Sequence, residues 1–200
     1  DKQYDLLCSR YGGYWRYPHL LDFCYLVNPY FPNQRLKDEL AASFERLLTE
    51  YPSGQKVNNL LAAKDFGVKQ EYILVGNGAA ELIKALTSQM LGKVGIVRPT
   101  FEEYPNRLMP EQVVAYVPQR PDFRYMVDDL MDYFDDKQIW SLVLINPDNP
   151  TGNYIPYDDC LRLAQWCKER EIVLVIDESF IDFSSEHPTF LNNAILAQND

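Results

Sequence analysis

Apolar residues recur at two different spacings along this chain, and the spacing separates candidate helices from candidate strands. Between positions 36 and 51 they repeat every three or four residues until Pro52, which predicts a helix that ends there. A second helix is predicted from about Gln55 to Lys64, before Gly67. After it, short apolar runs alternate with helical patterns.

This alternation predicts an α/β fold with a mainly parallel, helix-covered sheet. The predicted strands are Tyr72 to Val75, Val94 to Val97, Val113 to Val117, Trp140 to Ile145 and Ile172 to Ile176. The predicted helices among them are Ala79 to Met90, with Leu82, Ala85, Leu86 and Met90 on one face, Val127 to Phe134 and Tyr157 to Arg170. We expect residues 1–35, rich in aromatic residues, Gly and Pro, to form an arm, and residues 36–200 to form the sheet domain.

The acidic balance of the chain narrows the classes of partner. The 200 residues carry a formal net charge of -10 and contain no cluster of Lys and Arg, which disfavours a nucleic-acid phosphate backbone as partner. No apolar run is long enough to span a bilayer. We therefore expect a protein that binds small molecules and contacts neither nucleic acid nor membrane.

The cysteines indicate reduced thiols. Cys8, Cys24, Cys160 and Cys167 are scattered without a C-x-x-C pair, and only His19 and His187 could join them at a metal. The sequence thus predicts a cytoplasmic location and no metal site. Cys160 and Cys167 share one helical face with Leu163, which predicts core positions.

Small residues at a predicted helix start indicate an anion site. Gly78, Ala79 and Ala80 follow a predicted strand and begin a helix, whose free N–H groups and dipole suit a phosphate, although a simple turn stays open. A dinucleotide site is disfavoured because Glu81 occupies the third glycine position of G-x-G-x-x-G. The P-loop pattern G-x-x-x-x-G-K-[ST] does not occur either.

Polar residues also follow two buried strands, where open parallel sheets bind ligands. Asn149 lies in a turn held by Pro147 and Pro150, and it is compatible with a role in the turn alone or with a ligand contact as well. Asp177 ends an apolar strand, where an ionised carboxylate requires a partner such as a metal or a protonated ring nitrogen. For Tyr104, the sequence is compatible both with ordinary packing in the core and with stacking on a ligand.

Four motifs, taken in order, resemble those of the fold type I pyridoxal-phosphate enzymes. They are Gly76–Glu81, Pro99–Tyr104, Asn146–Gly152 and Asp177–Phe180. The likeness runs from about Gly12 to Phe183 and is greatest to the branch that holds histidinol-phosphate aminotransferase and threonine-phosphate decarboxylase. It implies the three-layer large domain of that fold, pyridoxal 5'-phosphate as cofactor, and amino transfer from an amino acid or a phosphorylated amino acid.

The resemblance also implies a role for each matched residue. Gly78, Ala79 and Ala80 would hold the cofactor phosphate, and Tyr104 would stack on the ring, with Phe101 sharing that wall.

Three further roles follow from the same resemblance. Asn149 would donate to the phenolic oxygen, and Asp177 would keep the ring nitrogen protonated. Tyr51 matches a tyrosine that reaches the neighbour's cofactor phosphate in a homodimer, although a core aromatic at a helix end is equally compatible with the residues.

Two departures from the family pattern bear on the reaction. Phe180 replaces a tyrosine that contacts the phenolic oxygen in the aminotransferases, which leaves a pyridoxal-phosphate-dependent amino-acid phosphate decarboxylase as the alternative. No Lys or Arg follows Arg170, so the Schiff-base lysine is expected beyond Asp200. We therefore expect these residues to be the part of the enzyme before that lysine and the C-terminal domain, and to be inactive alone. A non-catalytic α/β binding remnant and a nucleotide-binding domain remain as alternatives of another class.

Overall fold

The computed structural model describes residues 28–185 and 189–198, together with His19 and Leu21. The chain divides into two compact units, Asp1–Pro52 and Ser53–Asp200. The described part of the first unit contains helix α1, Gln34–Thr49, whose N-terminus is capped by the Asn33 side chain as it accepts a hydrogen bond from the Leu36 N–H. The predicted helix before Pro52 is confirmed, while the predicted boundary between an arm and a large domain at residue 35 stays a prediction.

The second unit contains the sheet and the helices that cover it. Its strands are β1 (Val94–Val97), β2 (Val113–Tyr116), β3 (Ser141–Ile145) and β4 (Val173–Asp177). Its helices are α2 (Gln55–Phe66), α3 (Ala79–Thr87), α4 (Val127–Phe134), α5 (Tyr157–Glu169) and α6 (Asn193–Gln198), with short 3-10 turns at Gln70–Tyr72, Pro105–Arg107, Pro110–Gln112 and Ile181–Phe183. None of the described helices is long and apolar enough to cross a bilayer.

The four strands form one parallel sheet in the order β2-β1-β3-β4. Successive residues of β3 point to opposite faces, so Leu142 and Leu144 pack with α4 and α5, whereas Val143 and Ile145 pack in a second cluster with Ile83 of α3. Helices therefore cover both faces of the sheet. The predicted α/β, three-layer fold with a parallel sheet is confirmed.

The predicted strand from Tyr72 to Val75 is wrong. Tyr72 ends a 3-10 turn, and the described residues up to Val75 pair with no strand. The backbone of Val75 is hydrogen-bonded to side chains of α2 and not to a strand. Its N–H donates to Asn59 Oδ1 at 3.0 Å, and its carbonyl accepts from Gln55 Nε2 at 2.5 Å. Ile73 has extended backbone angles, but the run is not a member of the sheet.

The buried face of α3 also differs from the prediction. The helix ends at Thr87, before the predicted end at Met90. Ile83 packs in the cluster on the sheet and Thr87 is buried, whereas Leu86, on the predicted face, is exposed; Met90, the last residue of that face, is buried as predicted. The helix has two apolar stripes, and the sheet receives the one that contains Ile83. The other stripe is left to line a cavity beside β4.

Candidate cofactor site

A cavity of about 750 Å³ lies between α3 and the carboxyl end of β4. Its apolar wall includes Leu82 and Leu86, and its polar end includes Asp177. Ala79 and Tyr104 line the same cavity. The fold thus brings three of the predicted site residues to one place. The outermost two, Ala79 and Asp177, are 98 positions apart in the sequence (177 − 79).

Asp177 is positioned by strand pairing at the end of β4. It is the register partner of Ile145 at the end of β3, and its carbonyl accepts a hydrogen bond from the Asn146 N–H at 2.9 Å. Its carboxylate oxygens have different partners: Oδ1 accepts from the Ser179 N–H at 3.0 Å and from the Ser179 hydroxyl at 2.5 Å, whereas Oδ2 accepts from the Tyr104 hydroxyl at 2.9 Å. Since each oxygen has two lone pairs, Oδ2 keeps one acceptor position.

Tyr104 reaches Asp177 from the loop after β1. Its side chain is only 3% exposed and belongs to the core cluster that contains Val143 and Ile145. Burial raises the pKa of the Tyr104 phenol, and the charge of Asp177 and the hydrogen bond to it raise that pKa further. The phenol therefore stays protonated and remains a hydrogen-bond donor at neutral pH. Phe101 packs against the same cluster but is only half-buried.

The start of α3 presents backbone N–H groups next to this cavity. Gly78 precedes the helix with φ of 85° and ψ of 165°, and it provides no side-chain cap. Ala79 and Ala80 are exposed and add no bulk beyond a methyl group. The Glu81 carboxylate accepts a hydrogen bond from the Asn77 N–H, so it satisfies the donor just before the helix. The geometry suits an anion at the first turn.

Asn146 and Asp148 fix the turn after β3. The buried Asn146 side chain donates to the Ile155 carbonyl and accepts from the Ile155 N–H, both at 2.9 Å. Asp148 is buried and accepts a hydrogen bond from the Thr151 hydroxyl. Burial raises the pKa of the Asp148 carboxyl, and the hydrogen bonds that it accepts offset only part of this rise. Sequence reasoning missed both residues as anchors; their signal was a polar side chain on either side of Pro147.

Asn149, the predicted ligand residue of that turn, is half-buried. Its side chain makes no hydrogen bond with any part of the chain that the structure describes, so its amide is available to a ligand. Asn149 lies after the end of β3, the strand beside β4, and not among the residues that line the cavity.

The remaining predicted residues lie elsewhere. Tyr51 belongs to the first unit and is fully exposed, at 101% of its reference area. Cys160 and Cys167 are free thiols buried on α5, as predicted. Cys8, Cys24 and His187 lie outside the described residues.

The cavity fits the cofactor that the sequence predicts. A half-buried carboxylate with a vacant acceptor position suits a protonated ring nitrogen, and an open helix start suits a phosphate. The stripe of Leu82 and Leu86 supplies an apolar wall of the kind that most small-molecule sites have.

Comparison with known proteins points in the same direction. The family model for aminotransferases of class I and II matches residues 23–200. L-serine phosphate decarboxylase from Sulfurospirillum multivorans is 34% identical over 189 residues, which cover 88% of this chain and 47% of that protein. CMP-5'-(3-aminopropyl)phosphonate synthase from Streptomyces rubellomurinus is 35% identical over 183 residues, which cover 92% of this chain and 29% of that protein.

A solved structure shares the fold. The structure of a decarboxylase from Sulfurospirillum multivorans matches with a TM-score of 0.75 and 30% identity, over 92% of this chain and 50% of that chain. This chain therefore spans half or less of the length of each of these three proteins.

Proposed function

Because this chain belongs to the class I and II aminotransferase family, we propose that it binds pyridoxal 5'-phosphate and acts on an amino acid or a phosphorylated amino acid. The observation that carries this proposal is the Asp177 carboxylate, which ends β4 in the same cavity as the start of α3. One acidic group and one anion-binding helix start, both at this cavity with an apolar wall, match the chemistry of the two ends of this cofactor.

Each residue of the site has a proposed task. The N–H groups at Gly78, Ala79 and Ala80 bind the phosphate, Asn149 donates to the phenolic oxygen, and Asp177 accepts from the ring nitrogen. When bound, pyridoxal phosphate supplies an electron sink for a carbanion at the α-carbon of the substrate.

The ring face is proposed to contact the aromatic segment after β1. Tyr104 was predicted to stack, with Phe101 beside it. Phe101 has the more accessible ring, since it is half-buried whereas Tyr104 is almost fully buried. This difference supports Phe101 as the main stacking surface.

Decarboxylation is the reaction that we propose to test first, ahead of amino transfer. Phe180 has no hydroxyl with which to donate to the cofactor's phenolic oxygen, a departure from the aminotransferase pattern. The matches from Sulfurospirillum multivorans are named L-serine phosphate decarboxylase in one comparison and a decarboxylase in the other. Phe180 and these names favour loss of the α-carboxylate as carbon dioxide, and the first name favours a phosphorylated amino acid as substrate.

The test uses the complete natural gene product with pyridoxal phosphate. O-phospho-L-serine labelled at the carboxyl carbon should release labelled carbon dioxide, and an Asp177→Ala variant should release far less. Transfer of the amino group to 2-oxoglutarate, without carbon dioxide, would support the aminotransferase instead. Neither reaction, together with no cofactor retained on dialysis, would contradict the proposal.

Residues 1–200 alone are proposed to be inactive. Among the residues that the structure describes, none that lines the cavity is a lysine, the side chain that this chemistry requires. Borohydride treatment with pyridoxal phosphate, followed by peptide mapping, should therefore find no specific adduct within residues 1–200. A single modified lysine in this range that forms only in the folded chain would contradict the proposal.

The assembly and location are also proposals. Tyr51 is fully exposed, which suits a residue that contacts a second copy of the chain in a homodimer. Leu40, Phe44 and Leu48 of α1 are exposed apolar residues that would be covered in such a dimer. The unpaired thiols of Cys160 and Cys167 favour the cytoplasm. Sedimentation of the complete gene product measures its oligomeric state, and cell fractionation measures its location.

A further inference from the structure

The Asp177 carboxylate is held from two sides by groups outside β4. Ser179 supplies two donors to Oδ1, and Tyr104 supplies one donor to Oδ2. A carboxylate at the end of a side chain otherwise rotates freely about its last bond. Here three hydrogen bonds fix the plane of the group and leave a single lone pair, on Oδ2, for a further donor.

Tyr104 is built to hold this carboxylate rather than to present its ring. Its side chain is almost fully buried in the cluster around Val143 and Ile145, which leaves little ring surface for a ligand. The backbone on either side is bonded within the loop, since Tyr104 N–H donates to the Phe101 carbonyl at 3.4 Å and the Arg107 N–H donates to the Tyr104 carbonyl at 3.1 Å. The hydroxyl is thus delivered to Asp177 from a fixed position.

We propose that Tyr104 is a positioning residue whose hydroxyl orients Asp177 toward the ring nitrogen of the cofactor. This inference rests on the proposed function, because it assumes that a pyridinium N–H uses the remaining lone pair of Oδ2. The hydroxyl acts on that bond through direction. It occupies one lone pair of Oδ2 and thereby fixes where the remaining lone pair points. The raised pKa of Tyr104 preserves the donor through the neutral range.

The experiment compares two ligands on the complete gene product. One is pyridoxal 5'-phosphate, and the other is its deaza analogue, in which C–H replaces the ring nitrogen. Both share the phosphate, the aldehyde and the ring face, so the ratio of their affinities isolates the contact with Asp177. We expect the wild type to prefer pyridoxal phosphate, and Tyr104→Phe to reduce that preference about tenfold, the size expected for one hydrogen bond to a charged group. The affinity for the deaza analogue should stay unchanged.

The chain offers a matched control and a second variant. Tyr133→Phe removes another phenol hydroxyl, which donates to the Ala115 carbonyl at 2.7 Å and does not contact Asp177, so it should leave the ratio unchanged. Ser179→Ala removes a donor on the other carboxylate oxygen at an exposed position, and should lower the ratio as Tyr104→Phe does. The ring nitrogen shift of labelled cofactor, measured by nitrogen NMR, should show less protonation in both variants.

Each outcome decides between the two proposals. A wild type that retains neither ligand would overturn the proposed function, and this inference with it. A wild type that prefers pyridoxal phosphate, with a ratio unchanged in Tyr104→Phe, would overturn the inference alone. Equal weakening of both ligands in Tyr104→Phe would do the same, because it indicates a packing role for the ring.

Discussion

The thiols of Cys160 and Cys167 illustrate how burial controls the chemistry of a residue. Both lie on the inward face of α5, and burial raises the pKa of each thiol to about 12. The thiolate is the reactive form, so we expect neither to react with iodoacetamide at about pH 8 while the chain is folded. Mass spectrometry should find both alkylated only after urea is added. Modification of either one under native conditions would contradict the buried placement.

Asn146 is the residue whose loss should most disturb the turn that carries Asn149. Its amide forms two hydrogen bonds with the backbone of Ile155, and both residues are buried. Asn146→Ala would leave the Ile155 N–H and carbonyl without these partners, so we expect a loss of roughly 2–4 kcal/mol in the free energy of unfolding. Urea titration measures it, with Asn106→Ala, at an exposed position, as the control that should change little.

At the residue scale, the chemical types at the site could be predicted but their pairing could not. Asp177 stands directly after an apolar run, and Asn149 lies in the turn that follows another, so their location near strand ends followed from the order of the sequence alone. The bond from Tyr104 to Asp177 joins residues 73 positions apart. No local pattern specifies such a contact, because it depends on how the loop after β1 packs beside β4.

Helix α3 provides a prediction at the scale of an element. Gly78 lies before the helix at φ of 85° and ψ of 165°, a conformation that L residues with a Cβ rarely adopt. Gly78→Ala should therefore destabilise the helix start by about 1–3 kcal/mol. Gly54 is the matched control, since it also precedes a helix, has open space around it and has an ordinary φ of −71°.

The two glycine variants separate strain from steric clash. A Cβ at either position meets no atom within 4 Å, so only the backbone conformation differs. Gly54→Ala should change the free energy of unfolding by less than about 0.5 kcal/mol, because the entropy gained by replacing glycine offsets the poorer N-cap. Equal effects of the two substitutions, measured by urea titration, would contradict the conformational argument. Retention of pyridoxal phosphate should fall in Gly78→Ala alone.

The errors in predicting elements have a common physical cause. A period of two or of 3.6 residues indicates a strand or a helix and the face on which its apolar side chains lie. It does not indicate which neighbouring element that face will contact. The run from Tyr72 to Val75 is apolar, yet its end is bonded to side chains of α2 and not to a strand. Helix α3 carries two apolar stripes, and the sequence does not state which one packs on the sheet. By contrast, β1 to β4 were predicted to within a residue at each end, because fully apolar runs between helices have one common arrangement.

At the scale of the whole molecule, the parallel sheet converts the order of the motifs into a site. Adjacent parallel strands β3 and β4 end at the same edge, so the residues that follow them emerge side by side. The helix start at Ala79 and the loop that carries Tyr104 meet at the cavity beside this edge. That convergence was predictable once four motifs were recognised in family order, whereas the cavity's apolar wall was not.

The stability of the whole chain should fall steeply in alkali. Four buried acids have a raised pKa in the folded state, namely Cys160, Cys167, Tyr104 and Tyr125, against ordinary values of 9.0 for the thiols and 10.0 for the phenols. A group whose folded pKa is raised contributes stability that is fully present below its unfolded pKa and is lost as the pH rises toward the folded value. The free energy of unfolding should therefore be constant below about pH 8.5 as far as these groups are concerned, and decline above it.

The slope of this decline identifies its source. Each group contributes up to about 1.4 kcal/mol per pH unit between its unfolded and folded pKa, so the thiols act first and the phenols add to the slope above about pH 10. Urea titrations at increasing pH measure the slope, and Cys167→Ala and Tyr125→Phe should each reduce it in its own range. Arg170, whose charge lowers the pKa of Cys167, makes the contribution of that thiol smaller than burial alone would give. A free energy of unfolding that stays constant through this range would mean that these four side chains ionise as readily in the folded chain as in the unfolded one. That result would contradict their burial.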